Sequence, residues 1–139
     1  MPDPVTAEIH IEAAPERVYD YFTKPEAMVR WMGNWAKLDA APGGEFSVDV
    51  EGVAVRGHYL ELEPPTRLTF SWGHAGSDRL PPGSSTVEVR LVADQGGTRV
   101  QIIHTGLPEP EAGRHAGGWR HFLDHLRAAL AARRADGTI

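Results

Sequence analysis

EPEAGRHAGGWRHFLDHLRAALAARR, residues 109–134, is the stretch whose reading decides the fold. At 100° per residue, His115, Trp119, Phe122, Leu123, Leu126, Ala129 and Leu130 fall on one broad stripe, and Arg120, Asp124 and Arg127 fall opposite. The spacing predicts an amphipathic helix with one buried face. Pro108 and Pro110 stand at its entrance, where a missing N–H does no harm. Glu109 and Glu111 complement the positive end of the helix dipole, and Arg133 and Arg134 the negative end. No other long helical pattern occurs, so a single helix has to cover most of a sheet.

Upstream, VTAEIHI (5–11) alternates as a half-buried strand, with Val5, Ala7, Ile9 and Ile11 on one side. Pro15 opens a short helix carrying Val18, Tyr21 and Phe22, and Pro25 breaks it. A second short helix is expected to bury Met28, Val29 and Met32 before Gly33 and Asn34 end it. From Trp35 to Gly106 the pattern is strands throughout. Phe46, Val48 and Val50 share a face, as do Leu68, Phe70, Trp72 and His74, then Val87, Val89 and Leu91, then Val100, Ile102 and His104. VAVRGHYLELE changes phase, with Val53 and Val55 alternating one way and Leu60 and Leu62 the other, which predicts a bulge or bend near Gly57. Pro64 and Pro65 mark a turn, residues 74–85 a mobile polar loop, and DQGG (94–97) a hairpin. The order β-α-α-β-β-β-β-β-β-α predicts an α+β fold. Its seven-stranded antiparallel sheet curves around the long C-terminal helix, and two short helices follow strand one. One domain over residues 1–139 is expected, with its core at about 5–134.

Composition narrows the function. The 139 residues are 41% hydrophobic and 24% charged, with a formal net charge of −5 and no basic run outside the helix's last turn, which argues against a nucleic-acid partner. With no cysteine, disulfides, thiol catalysis and thiolate metal sites are excluded. No apolar run approaches about 18 residues, so no membrane span is expected. MPDPVTAEIHI lacks a basic segment followed by an apolar block, so a cytoplasmic location is expected.

The pieces IEAAPERVYDYFTKPEAMVRW, GGEF, GHYLELEPPTRLTFSW, STVEVRL, GGTRVQIIHTGL and HAGGWRHFLDHLRAAL, in that order, carry a family resemblance. From about Val5 to Leu130 the chain resembles the START-like (SRPBCC) superfamily of helix-grip proteins. Within it, the chain is most similar to the group named for the activator of a heat-shock-protein ATPase. The resemblance implies a hydrophobic ligand cavity between helix and sheet. It also implies kinship with bacterial binders and self-resistance proteins that sequester a toxic metabolite. The eukaryotic co-chaperones of the group resemble longer chains with a further N-terminal domain, which counts against a chaperone-activating role.

Candidate site residues follow from both readings. Strong curvature around one helix leaves space between them, and the expected lining is Trp31, Trp35, Phe46, Tyr59, Phe70, Trp72, His104, His115, Trp119, Phe122, Leu123 and Leu126. His115 and Trp119 either orient a ligand's polar group or form a core pair, with the imidazole bonded to a carbonyl. His74 and His104 end their strands, at a cavity mouth or a solvated rim. Trp31 and Trp35 either cap the mouth or staple the second helix to the sheet. Gly117 and Gly118, unfavourable inside a helix, point to close approach of the helix to a strand or a ligand, packing before ligand. His121 and His125 have the i, i+4 spacing of metal ligands, but H-E-x-x-H is absent and they lie on the helix flank. No metal and no cofactor are expected.

Glu45, Asp49, Glu51, Glu61, Glu63 and Glu88 mostly alternate outward, and no G-x-S-x-G elbow or phosphate loop occurs, so no catalytic residue is assigned. Three functions remain in view. The first is binding of a hydrophobic or aromatic small molecule, as carrier, sequestering or self-resistance protein, by a monomer or homodimer. The second is a cyclase or hydrolase acting on a polyketide-like substrate, with His104 or His115 as acid or base. The third is a co-chaperone-like protein-binding module.

Overall fold

A computed structural model describes residues 4–108 and 111–137, the last six of these by backbone alone. The chain runs β1 (Val5–Ile11), α1 (Pro15–Thr23), α2 (Pro25–Met28), β2 (Trp35–Leu38), β3 (Glu45–Val50), β4 (Val53–Glu63), β5 (Arg67–Trp72), β6 (Ser85–Asp94), β7 (Gly97–Thr105) and α3 (Glu111–Gly137). This is the α+β helix-grip architecture that the sequence predicts. The sheet order is β1-β7-β6-β5-β4-β3-β2, every neighbour antiparallel. Six strands run as a meander, and β1 closes against the last of them.

Local chemistry sets the boundaries. Pro15 and Pro25 stand in the first turns of α1 and α2. Lys24, between the helices, is extended (φ −111°, ψ 126°), as a residue before proline must be. The β3–β4 and β6–β7 hairpins turn on Glu51-Gly52 (φ 50° and 83°) and Gln95-Gly96 (φ 49° and 81°). Positive φ at both central residues is the type I′ geometry that matches strand twist. Of the residues expected at the helix ends, Glu109 and Pro110 lie outside the described residues, as do the side chains of Arg133 and Arg134.

Three local expectations need correction. Val29 is 38% exposed, because a four-residue helix offers the core one side only, which Met28 and Met32 occupy. The bulge falls between Tyr59 and Glu61, beyond Gly57. The extra residue lies on the outer side, so Leu60 is 44% exposed while Leu62 packs against the core. Gly57 marks a close approach instead, where an added Cβ would sit 2.0 Å from the Ser71 carbonyl oxygen. The loop after β5 is also anchored: Leu80 is buried, and its carbonyl accepts the His74 backbone N–H at 2.7 Å.

The core lies between the sheet's concave face and α3. Trp119, Leu123, Leu126 and Leu130 of α3 are buried, with Phe122 and Ala129 beside them. They face Val87, Val89, Leu91, Val100 and Ile102, and α3 packs chiefly across β1, toward one edge of the sheet. At the other edge α2 packs against β2, while α1 packs beside α2 and reaches β6 and β7. There Phe22 meets Trp31 edge-on at 5.0 Å, and the Tyr59 hydroxyl donates to the Phe22 carbonyl at 2.7 Å. No helix among the described residues is long and apolar enough to cross a membrane.

Candidate functional site

Because α3 leans toward β1, its first half stands away from the β3–β4 hairpin. A cleft of about 450 Å³ opens there, a volume within the range of small-molecule pockets. Met32, Val50, Val53, Val55, Trp72, Trp119 and Phe122 form its apolar walls. Glu51, His74, Glu111, Arg114 and His115 form a polar side, and Gly118 of α3 adds backbone only.

Hydrogen bonds tie the aromatic wall together and fix two imidazole tautomers. His115 Nδ1 lies 2.9 Å from the Glu111 carbonyl oxygen, which can only accept, so Nδ1 carries the proton. Its Nε2 then accepts the Trp72 indole N–H at 3.3 Å. A second chain runs deeper. The Trp119 indole N–H donates to His104 Nδ1 at 3.0 Å, and His104 Nε2–H donates to Ser85 Oγ at 2.8 Å. The Ser85 hydroxyl donates in turn to the Trp72 carbonyl at 2.8 Å. Each donor in this chain meets one acceptor, and both indoles are held by imidazoles.

Burial drives the His104 imidazole down to about 3, and the neighbouring His115 and His74 push the same way. His104 is therefore neutral at physiological pH. His74 is also lowered, first by burial and then by His115, with Glu111 pulling back upward. Its ring stacks on His115 at 5.5 Å and 18°, and its ring nitrogens make no hydrogen bond among the described residues. Glu111 is 12% exposed and pairs at 3.4 Å with Arg114, whose side chain is 74% exposed.

Of the residues expected to line a cavity, the fold places Trp72, His115, Trp119 and Phe122 on this cleft. His104 lies behind them, fully buried, holding Trp119. Phe46 stacks on Phe70 at 4.1 Å with Tyr59 edge-on to Phe46, and all three pack in the core away from the cleft wall. Leu123 and Leu126 fill the helix–sheet core further along α3. Trp31 is buried and donates its N–H to the Tyr21 carbonyl at 2.9 Å, which staples the second helix down. Trp35 is on the outer side, 44% exposed, with the Arg56 guanidinium 5.4 Å above its ring.

Two sequence expectations change here. A Cβ at Gly117 or Gly118 would meet nothing within 4 Å, so neither glycine serves close packing. Glu51 lines the cleft, because the two-residue turn takes it out of strand alternation. His121 and His125 sit with ring centroids 4.2 Å apart on the exposed face, and no group of three or more metal-ligating side chains exists among the described residues. Glu111, which the sequence reading left at the helix entrance, and Arg114, which it did not single out, are both cleft residues. On a helical wheel Glu111 falls about 40° from His115, so extending the stripe one turn back finds it.

Residues 12–131 match the family described as Activator of Hsp90 ATPase homolog 1-like protein. The human activator of 90 kDa heat shock protein ATPase homolog 1 is 28% identical over 110 residues, covering 78% of this chain but only 31% of its own length. The AHSA1-like protein of Rhizobium etli is 42% identical, with a TM-score of 0.71 over 91% of this chain and 82% of that one. CalU16 of Micromonospora echinospora is 28% identical, with a TM-score of 0.74 over 94% and 78%. These relatives share a scaffold that fits ligand-binding or co-chaperone-like use.

Proposed function

The chain belongs to the activator of Hsp90 ATPase homolog 1-like family, and on that premise we propose that it binds a hydrophobic or aromatic small molecule in the cleft between α3 and the β3–β4 hairpin. The observation that carries this reading is the open cleft of about 450 Å³, with two tryptophans held edge to wall by imidazoles. A core that merely needed filling has no use for indoles fixed in orientation beside empty space. Burial of the ligand's apolar surface supplies the affinity, at about 25 cal/mol per Å² before ordering costs. The protein acts as a cytoplasmic single-domain carrier or sequestering protein, as monomer or homodimer.

The hydrogen-bond chain favours binding over catalysis. His104 is neutral, buried, and bonded at both nitrogens, so it cannot exchange a proton with a molecule in the cleft. His115 is likewise committed at both nitrogens. The chain spans 31% of the human co-chaperone relative's length, so that relative's activity is not carried over to it.

The test is a thermal-shift screen against steroids, polyketides, flavonoids, fatty acids and lipids, with Gly118→Leu as the blocked control. A Cβ at Gly118 meets nothing within 4 Å, so a leucine there starts into the cleft rather than into the helix–sheet core. A ligand at 100 times its Kd stabilises the fold by about 2.7 kcal/mol, or several degrees. A shift in the wild type that Gly118→Leu abolishes is the expected result. No shift with any class, in a protein that melts cooperatively, sinks the reading.

A further inference from the structure

The cleft's polar side also carries information about the ligand's charge. We propose that the cleft selects an aromatic or polycyclic molecule bearing a protonated amine, over the same skeleton bearing a carboxylate. This deepens the binding reading above and rests on it.

Donors come first. An anionic or carbonyl-rich ligand needs N–H or O–H groups pointing at it. Both indole N–H groups in the wall are already spent, Trp72 on His115 and Trp119 on His104. The His115 Nδ1–H is spent on the Glu111 carbonyl. Donors held this way are not offered to a ligand without breaking a bond inside the wall. His74 keeps one ring N–H free, but its other ring nitrogen is an equally free acceptor, so it serves an ammonium as readily as a carboxylate. The remaining cation, Arg114, directs its guanidinium to Glu111 and is 74% exposed, outside the desolvated part of the cleft.

Acceptors and negative charge remain. Glu111 contributes a carboxylate that is 12% exposed and has one 3.4 Å partner, leaving acceptor capacity facing the cleft. Glu51 adds a second carboxylate on the opposite lip, from the β3–β4 turn. Two carboxylates against one outlying arginine give the cleft a net negative field, where low-dielectric walls strengthen any interaction with a cation. Trp72 and Trp119 stand in the same wall, and where a ring face borders the cleft it adds cation–π attraction of the same sign. An ammonium thus finds two anionic lips and two indoles, whereas a carboxylate finds those same lips repelling it.

The experiment uses one ring system with three end groups. A naphthylalkylamine, the alcohol and the carboxylate of equal chain length are titrated into the purified chain, and tryptophan fluorescence reads the binding. The amine is expected to bind at least about tenfold tighter than the carboxylate, with the alcohol between them. Glu111→Gln should shrink that preference, and Arg114→Ala, which frees the Glu111 carboxylate, should enlarge it. Equal or tighter carboxylate binding overturns the charge selection while leaving the cleft a binding site. Binding that Gly118→Leu does not reduce, or no binding by all three probes, removes the binding reading itself and this inference with it.

Discussion

His104 should make the folded state acid-sensitive by an amount that one substitution can isolate. Its imidazole is lowered to about 3 in the native state, because burial opposes the charged form and His115 and His74 reinforce it. The unfolded chain titrates near about 6.5. Between these values the unfolded state binds more protons, so this contribution is complete above about pH 6.5 and falls away as the pH drops toward 3. Relative to pH 8, the loss is about 1.4 kcal/mol at pH 5.5 and about 2.7 kcal/mol at pH 4.5. His104→Gln keeps an acceptor for the Trp119 N–H and a donor for Ser85 Oγ while removing the titration. Urea unfolding of both proteins at pH 8.0, 5.5 and 4.5 gives the comparison. Groups common to both, such as His74, cancel. The wild-type stability should fall with acid more steeply than that of the variant, by those amounts. Parallel curves refute the argument that a neutral, hydrogen-bonded imidazole sits at the base of the cleft.

Other substitutions probe separate parts of the fold. Trp119→Phe removes the donor to buried His104 Nδ1 and should destabilise by about 1–3 kcal/mol in urea, beyond any packing loss. Gly117→Ala, whose new methyl meets nothing within 4 Å, should stabilise α3 by up to about 1 kcal/mol and raise the Tm. The same change at Gly57 should lower the Tm instead, since the Cβ would collide with the Ser71 carbonyl at an overpacking penalty of about 1–3 kcal/mol. Phe70→Ala removes the ring stacked on Phe46 at 4.1 Å and should destabilise by about 3–5 kcal/mol by chemical denaturation.

The fold was legible because its signals are local and repeated. The α3 stripe, the prolines that open α1 and α2, and the strand alternations each carry a period that survives any tertiary arrangement. The site was legible in part, for a physical reason. Phe46, Tyr59 and Phe70 share the inward phase with Trp72, but phase names a face and not a position along it. Only the lean of α3 toward β1 decides which inward side chains are covered and which border empty space. Trp35 shows the other limit, since a tryptophan on a four-residue edge strand can lie on either side, and here it lies outside under Arg56. The bulge between Tyr59 and Glu61 slipped by a few residues because a glycine and a bulge both break a strand's phase. Only the pairing register tells them apart.

The two halves of α3 obey different rules, and the difference locates the site. From Leu123 onward the stripe is leucine and alanine, close-packed on the sheet and good helix formers. From Glu111 to Trp119 the helix carries Gly113, Gly117 and Gly118, each unfavourable by about 1 kcal/mol relative to alanine. No neighbour approaches any of the three. Close packing elsewhere explains a glycine well, as Gly57 against Ser71 does, but it explains none of these. A local choice that weakens a helix without a packing return calls for another explanation, which the proposed binding reading supplies. At Gly118, which faces the cleft, a leucine or even an alanine would take up space that the proposed ligand needs. The weak half of the helix is thus the half that stands over the cleft, and the strong half holds it there.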